Sequence, residues 1–199
     1  KQFIGTDDER AYETYVRSAS DVFGASAQGA TRPASSRPRA RTVERLERLT
    51  RAQPRFARAW AMLAAGYLSL GGKDLASLTD LAESSAERAL RLDEGIAEAH
   101  AALGLVDLRR NDWIAAQEKL EWAISLDPNM PLALEGLACL HVDAGHYRAS
   151  LPHGRRAVAL QPRNVGANEC LTYAQLVDTE NIEAAQGNAP PLRSVAPLR

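Results

Sequence analysis

Apolar residues in the middle of the chain recur at intervals of three and four positions, which is the spacing of one face of an α-helix. Residues 97–110 carry Leu103 and Val106 at such positions, so they are predicted to form one amphipathic helix. Asn111 and Asp112 then interrupt the pattern with two polar residues. Aspartate is a favoured N-cap residue, so Asp112 is expected to start a second helix.

The second helix is predicted to cover residues 113–126. Ala116, Leu120 and Ala123 fall on one of its faces, and Pro128 stops it because proline cannot continue a helix. Two short antiparallel helices cannot bury both of their faces alone. The pair therefore needs neighbours of the same kind.

The same pattern returns 34 residues later, in residues 131–164. The matching residues are Leu103 and Leu137, Gly104 and Ala138, Asp112 and His146, Trp113 and Tyr147, Ala123 and Ala157, and Pro128 and Pro162. A 34-residue period with small, aromatic and proline positions in register is typical of the tetratricopeptide repeat (TPR). The sequence therefore resembles TPR proteins, and this resemblance implies a binding scaffold made of helical hairpins.

Further helices are predicted on both sides of these two units. The fold is expected to be all-α, a right-handed superhelical stack of TPR helical hairpins with about nine or ten helices. Its predicted parts are an N-terminal capping helix in residues 1–23, a flexible Arg/Ser/Pro-rich loop in 24–41, TPR-like repeats in 42–164 (42–96, 97–130 and 131–164), C-terminal capping helices in 165–187 (one over 165–177 and a short one over 180–186), and an extended tail in 188–199.

Two local departures from the repeat are expected. The helix over residues 75–92 is predicted to be extended, because the first unit exceeds the 34-residue step by six residues. Pro152 lies one turn after Tyr147, where it would remove a helical hydrogen bond. Either the helix containing Pro152 starts late, near Ser150, or it starts earlier and is kinked, and we predict the late start.

Three stretches resemble one bacterial TPR domain more specifically. They read AYETYVR, QPRFARAWAMLAAGYLSLG and AERALRLDEGIAEAHAALG, and the resemblance covers roughly residues 7–165. The domain that they resemble is fused to ToxR-type winged-helix regulators and to class III adenylate cyclases. The favoured function is a non-catalytic scaffold that binds a partner within a larger bacterial assembly. The alternative is a sensory or regulatory module that controls a fused or associated regulator or cyclase domain.

Composition and charge narrow the classes of partner. The chain has 199 residues, of which 45% are hydrophobic and 25% charged, and its formal net charge is −1. A nearly neutral chain has no general attraction for nucleic acid, so no specific nucleic-acid partner is expected. No apolar run reaches the length of about 18 residues that a membrane span needs. Another protein or a peptide is therefore the expected partner.

The first residue and the cysteines bear on the compartment. Residue 1 is Lys, so we expect a processed or excised part of a longer chain, and an upstream membrane anchor stays open. Bacterial periplasm and cytoplasm both stay open as locations. Cys139 and Cys170 form no CxxC motif, and they are interpreted as two small buried core residues without a disulfide.

The sequence does not favour an enzyme. It contains no HExxH, GxSxG, GxxxxGK(S/T) or GxGxxG motif. His141, His146 and His153 are close in sequence, but spacings of five and seven do not place metal ligands on one helical face as spacings of three or four do. They are interpreted as surface or core residues, and no metal, cofactor or catalytic residue is predicted.

A basic segment is a secondary candidate for binding. Arg32, Arg37, Arg39 and Arg41 lie in the predicted loop, which has no aromatic residue on which a base could stack. The favoured interpretation is a solvated loop. The alternative is an arm that becomes ordered against an acidic partner or an anionic surface.

The predicted partner-binding surface is the concave face of the stack, which the first helix of each hairpin lines. The side chains expected to point into it are Arg58, Glu98, Leu105, Arg109, Leu132, Glu135, Asp143, Glu169 and Tyr173. Apolar anchors flanked by charges of both signs suit an extended peptide or a partner helix. An alternative is that residues 190–199 of the chain itself fill this groove.

Overall fold

The computed structural model describes residues 6–24, 36–70 and 74–185, and these residues form nine helices. The helices are α1 (Glu9–Gly24), α2 (Ser36–Ala52), α3 (Ala57–Ser69), α4 (Leu75–Leu92), α5 (Ala97–Arg109), α6 (Trp113–Leu126), α7 (Pro131–Asp143), α8 (Tyr147–Leu160) and α9 (Val165–Ala185). We call α3–α4, α5–α6 and α7–α8 the first, second and third hairpins. The inner helices are α3, α5, α7 and α9, and the outer helices are α4, α6 and α8.

The helices are stacked as consecutive hairpins. Each helix packs on its neighbour in sequence, and each inner helix also packs on the next inner helix, as α3 does on α5, α5 on α7 and α7 on α9. Each repeat therefore contacts mainly the repeats beside it, which is the arrangement of a helical solenoid. The predicted all-α stack of helical hairpins is confirmed.

The helix starts follow the period seen in the sequence. The inner helices α5, α7 and α9 begin at Ala97, Pro131 and Val165, which are 34 residues apart. The step from α3 to α5 is six residues longer. Four of these residues lie in α4, which has 18 residues where α6 has 14, and two lie in the linker before α4. The predicted extension of the helix over residues 75–92 is confirmed, but it accounts for four of the six residues.

Small residues let the helices of the second hairpin approach closely. A Cβ atom added to Gly104 would lie 2.6 Å from Leu120 Cγ, and one added to Gly136 would lie 2.9 Å from Leu120 Cδ2. The fully buried Leu120 side chain therefore fills the space that two glycines leave between α5, α6 and α7. This packing offsets the cost of about 1 kcal/mol that glycine carries inside a helix.

The turns of the second and third hairpins share one backbone conformation. Asn111 has φ 62° and Gly145 has φ 76°, so both lie in the left-handed region that favours asparagine and glycine. These two residues are 34 positions apart in the sequence. In the second hairpin the Asp112 side chain then accepts a hydrogen bond from the Ala115 backbone N–H, as its predicted capping role requires.

The predicted basic loop is wrong over its last residues, because α2 begins at Ser36 rather than near Thr42. Arg39 donates a hydrogen bond to the Ser69 carbonyl at 3.0 Å, which ties the start of α2 to the end of α3. Pro38 lies in the first turn of α2, where a missing N–H does no harm. Arg41 lies in α2 and is exposed. Arg32, with the rest of residues 25–35, lies outside the described residues, and Arg37 lies in the first turn of α2.

The predicted late start of α8 is also wrong. The helix begins at Tyr147, so Pro152 lies inside it rather than in its first turn. Pro152 is exposed, so water can reach the backbone carbonyl that its missing N–H leaves unpaired. The Ser150 hydroxyl holds this part of α8 against α7, because it donates a hydrogen bond to the Ala138 carbonyl at 2.9 Å.

The last described helix is continuous. We expected a helix over 165–177 and a second short one, but α9 runs from Val165 to Ala185 without a break. Residues 177–180 read VDTE, and they contain neither glycine nor proline to end a helix. The predicted tail in residues 188–199 lies outside the described residues.

The interpretation of the two cysteines as separate core residues is wrong. Cys139 of α7 and Cys170 of α9 form a disulfide, with their Cα atoms 5.3 Å apart. Their sequence separation is 31 residues, three fewer than the repeat, so they do not occupy equivalent positions. Instead they face each other between adjacent inner helices. The bond fastens the last helix of the described stack to the third hairpin.

Candidate partner-binding surface

The first part of the predicted concave face is occupied by contacts within the chain. Arg58 of α3 and Glu98 of α5 form an ion pair at 4.0 Å. Tyr15 of α1 stacks at a tilt on Phe56 near this pair, and its pKa is raised by burial and then by the charge of Glu98. Arg58 and Glu98 therefore connect neighbouring inner helices near α1.

Arg109, at the end of α5, is also engaged within the chain. Its guanidinium donates hydrogen bonds to the Leu68 carbonyl at the end of α3 and to the Thr79 hydroxyl of α4. Burial lowers the pKa of Arg109. This side chain closes the space between the first and second hairpins.

The apolar members of the predicted face pack against the core of the second hairpin. Leu105 and Leu132 are partly buried there. A Cβ atom added to Gly136 would lie 3.0 Å from Leu105 Cδ2, so Leu105 lies directly on α7. The main role of these two leucines is to stabilise the contact between inner helices.

Glu135 of α7 is covered by the segment that leads into α9. The Asn164 side-chain amide donates a hydrogen bond to its carboxylate at 2.7 Å. A Cβ atom added to Gly166 would collide with Glu135 Oε1, so the carboxylate lies against backbone. Burial raises the pKa of Glu135, and the hydrogen bond from Asn164 opposes this change.

The remaining predicted side chains are exposed at the C-terminal end of the described stack. Asp143, Glu169 and Tyr173 all lie on the surface, and Tyr173 is 51% exposed. Tyr173 also makes an edge contact with Tyr147 of α8, with the ring centroids 5.9 Å apart. The structure therefore divides the predicted surface into an internally engaged part and an exposed end.

A groove runs along α9 at this exposed end, and we call it the α9 groove. Its volume is about 530 Å³, and it is lined by Pro162, Arg163, Val165, Asn168, Glu169, Thr172, Tyr173 and Leu176. Val165 and Leu176 are 47% and 57% exposed. Sequence reasoning selected Glu169 and Tyr173 but missed these two apolar residues and Thr172.

The repeat period is the signal that reveals the missed residues. A step of 34 takes Leu108 to Val142 and then to Leu176, and it takes Ala97 to Pro131 and Val165. On α5, Ala97 is buried and Leu108 packs against the core of the second hairpin. Within the described residues, α9 therefore exposes positions that are buried or partly buried on α5 and α7.

The three histidines are closer together than their spacing suggested. The rings of His141 and His153 stack with centroids 5.6 Å apart, and the His146 ring lies 6.3 Å from that of His141. Burial lowers the pKa of both His141 and His153, and the charge of Glu121 acts in the opposite direction on each. Among the described side chains, no group of three His, Cys, Asp or Glu residues is arranged to hold a metal ion.

None of the helices α1 to α9 is both long enough and apolar enough to cross a bilayer.

Comparison with solved structures identifies the type of fold. The chain is similar to TTC0263, a thermophilic TPR protein of Thermus thermophilus, with a TM-score of 0.57 and 18% identity over 84% of this chain and 96% of that one. It is also similar to a chain of the APC/C hetero-tetramer Cut9–Hcn1, with a TM-score of 0.52 and 17% identity over 88% of this chain and 37% of that one. No family model and no curated protein matches the sequence. The architecture is therefore TPR-like.

Proposed function

We propose that this chain is a non-catalytic scaffold that binds a partner protein at the α9 groove, within a larger bacterial assembly. One observation carries the proposal. The face of α9 that contains Val165 and Leu176 is exposed, whereas the equivalent face of α5 is packed against other helices. Exposed apolar side chains with a specific neighbouring charge, Glu169, are the features of a helix- or peptide-binding groove.

The groove suits a protein better than a nucleic acid. It presents four apolar or aromatic side chains (Pro162, Val165, Tyr173 and Leu176), one arginine and one glutamate. Nucleic-acid binding requires several positively charged side chains to contact the phosphates, and this surface has only one arginine. In the regulatory alternative the groove would take a fused or associated output domain instead, so the same surface would be used.

The test compares two leucines of similar exposure on different helices. Leu176→Glu places a charge in the α9 groove, and the matched control, Leu81→Glu, places one on α4, where Leu81 is 44% exposed. The wild-type chain and both variants are used for affinity purification from native cell extract, after circular dichroism has shown that all three are folded. We expect a stoichiometric partner to be lost with Leu176→Glu and retained with Leu81→Glu. Retention of that partner by Leu176→Glu contradicts the proposal.

A further inference from the structure

The last inner helix differs from the earlier ones in length. Helices α5 and α7 each have 13 residues and are followed by a three-residue turn and an outer helix. Helix α9 has 21 residues. At 1.5 Å per residue, its eight additional residues carry the chain about 12 Å beyond the point at which the earlier inner helices end. Helix α9 is therefore an inner helix that does not turn back at the usual place.

The earlier hairpins show what covers this face. In the second hairpin, Gly104 of α5 lies against Leu120 of α6. In the third, the equivalent residue Ala138 accepts a hydrogen bond from Ser150 of α8. The next equivalent residue is Thr172 of α9, which is exposed. The surface that α6 covers on α5 and α8 covers on α7 is therefore exposed at the equivalent position of α9.

The size of the residues restricts what fits there. Gly104 leaves room for the large Leu120, whereas Ala138 is larger and the residue equivalent to Leu120 is Gly154, which itself lies against Leu171 of α9. Thr172 is larger again. A helix that packs on α9 therefore needs small residues opposite Thr172, because overfilling a close helix contact is destabilising.

Charge adds a second restriction. Glu135 of α7 and Glu169 of α9 are equivalent, and Glu135 receives a hydrogen bond from Asn164, which lies just beyond α8. Glu169 is exposed. A carboxylate that becomes covered without a donor would lose its hydration without replacement. A partner that covers Glu169 must therefore supply a hydrogen-bond donor, as Asn164 does for Glu135.

We propose that the partner inserts an amphipathic α-helix along α9, where it acts as the outer helix of a fourth hairpin, with small residues against Thr172 and a hydrogen-bond donor for Glu169. This inference rests on the proposed function and specifies its partner. The other occupants of the same face, a second copy of the chain or residues 186–199 of the chain itself, are distinguished by the test.

The probe is a fluorescein-labelled peptide of residues 146–164 with Pro152→Ala. This segment already performs the outer-helix role on α7, since Ser150 donates to the Ala138 carbonyl and Asn164 donates to Glu135. We expect it to bind the full chain saturably in fluorescence anisotropy. The peptide that also carries Gly154→Leu is expected to bind about tenfold more weakly, because the leucine meets Thr172.

Two variants of the full chain complete the design. Thr172→Gly recreates the Gly104 surface, so it should restore binding of the Gly154→Leu peptide, and Leu176→Glu should abolish binding of both peptides. The proposal is overturned if the full chain binds neither peptide, or if it binds both equally and Thr172→Gly changes nothing. If the native partner is still lost with Leu176→Glu in that case, the proposed function stands and only the helical form of the partner is wrong.

Sedimentation and a tail variant identify the other occupants. A wild-type dimer that Leu176→Glu converts to a monomer would show that a second copy occupies the groove. Peptide binding that occurs only after Leu192→Ser and Leu198→Ser would show that residues 186–199 occupy it. Either result overturns the proposal. A monomer that binds the parent peptide without these changes supports it.

Discussion

The second and third hairpins have the same backbone plan but different chemistry inside it. Both consist of a 13-residue inner helix, a left-handed turn residue and a 14-residue outer helix. In the second hairpin, Asp107 and Lys119 form an ion pair between the two helices. A step of 34 residues replaces this pair with His141 and His153, whose rings stack.

The difference shows which interactions determine the hairpin and which vary within it. Small residues at the helix contact, the left-handed turn and the proline after the outer helix recur in both. The ion pair, the buried Leu120 and the N-cap bond of Asp112 belong to the second hairpin alone. We therefore expect the second hairpin to depend on its side-chain packing and the third to depend on its disulfide to α9.

The largest expected effect is that of Leu120→Ala. It removes a fully buried side chain that fills the space at Gly104 and Gly136, so the free energy of unfolding should fall by about 2–5 kcal/mol. The control is Ile114→Ala on the same helix, where Ile114 is 78% exposed and the change should stay within about 0.5 kcal/mol. Urea unfolding measures both. Equal losses in the two variants would disprove the packing role of Leu120.

The next effect is removal of the disulfide. The Cys139→Ser and Cys170→Ser double variant opens a loop with a sequence separation of 31 residues, and we expect it to lose about 2–4 kcal/mol of stability. Reduction of the wild-type chain with dithiothreitol should lower its urea midpoint to that of the variant. The same reductant should leave the variant unchanged. A wild-type midpoint that does not respond to reduction would mean that the bond does not stabilise the stack.

A smaller loss of stability is expected from removing the N-cap side chain of α6, and the N-cap residue of α8 provides the comparison. Asp112 accepts a backbone hydrogen bond at its N-cap position, whereas the equivalent His146 makes no such side-chain bond. Asp112→Ala should therefore destabilise the chain by about 1 kcal/mol. His146→Ala at pH 8 serves as the matched control and should have little effect. Thermal unfolding followed by circular dichroism compares the two, and a similar loss in both would show that the cap is not what distinguishes them.

The smallest effect at pH 8 is that of exchanging the histidine pair for the ion pair, His141→Asp with His153→Lys. Burial lowers the pKa of His141 and of His153, so the unfolded chain binds their protons more readily than the folded chain. Stability from this source is present above the ordinary histidine pKa of about 6.5 and is lost as the pH falls below it. His146 adds repulsion to His141, while Glu121 of α6 partly opposes the loss.

The double exchange should leave stability at pH 8 nearly unchanged and should reduce its decrease on acidification. Urea midpoints at pH 8, 6.5 and 5 measure this for the parent and the variant. As a reciprocal control, Asp107→His with Lys119→His should make the second hairpin more sensitive to acid. Parallel pH profiles for parent and variant would show that the histidine pair does not cause the sensitivity.

The elements set by local signals could be predicted from the sequence. The period placed the starts of α5, α7 and α9, and Asp112 and Pro128 marked the two ends of α6, because caps and helix stops depend on residues a few positions apart. Helix α2 was placed too late because its first turn is held by Arg39 bonding to Ser69, which is 30 residues away. The residues around the start of α2 give no sequence signal for that contact.

The candidate surface was harder to predict for the same reason. Arg109 and Glu135 have the right spacing for a concave face, but Arg109 bonds to Leu68 and Glu135 is covered by Asn164 and Gly166. Whether a polar residue at an inner-helix position is exposed depends on the neighbouring repeat. Leu176 shows the converse, since its repeat position predicts burial and the absence of a following outer helix within the described residues leaves it exposed.

Several hydrogen bonds between helices join elements that are close to each other along the chain. Lys119 and Asp107 are 12 residues apart, Arg110 and Glu83 are 27 apart, and Arg148 and Asp178 are 30 apart. Because each helix packs mainly on helices close to it in the chain, we expect folding to nucleate in any of the hairpins. When the chain is pulled from its ends, it should extend in a series of small steps rather than in one abrupt rupture, and the Cys139–Cys170 disulfide should keep the segment between the two cysteines from extending until it is reduced.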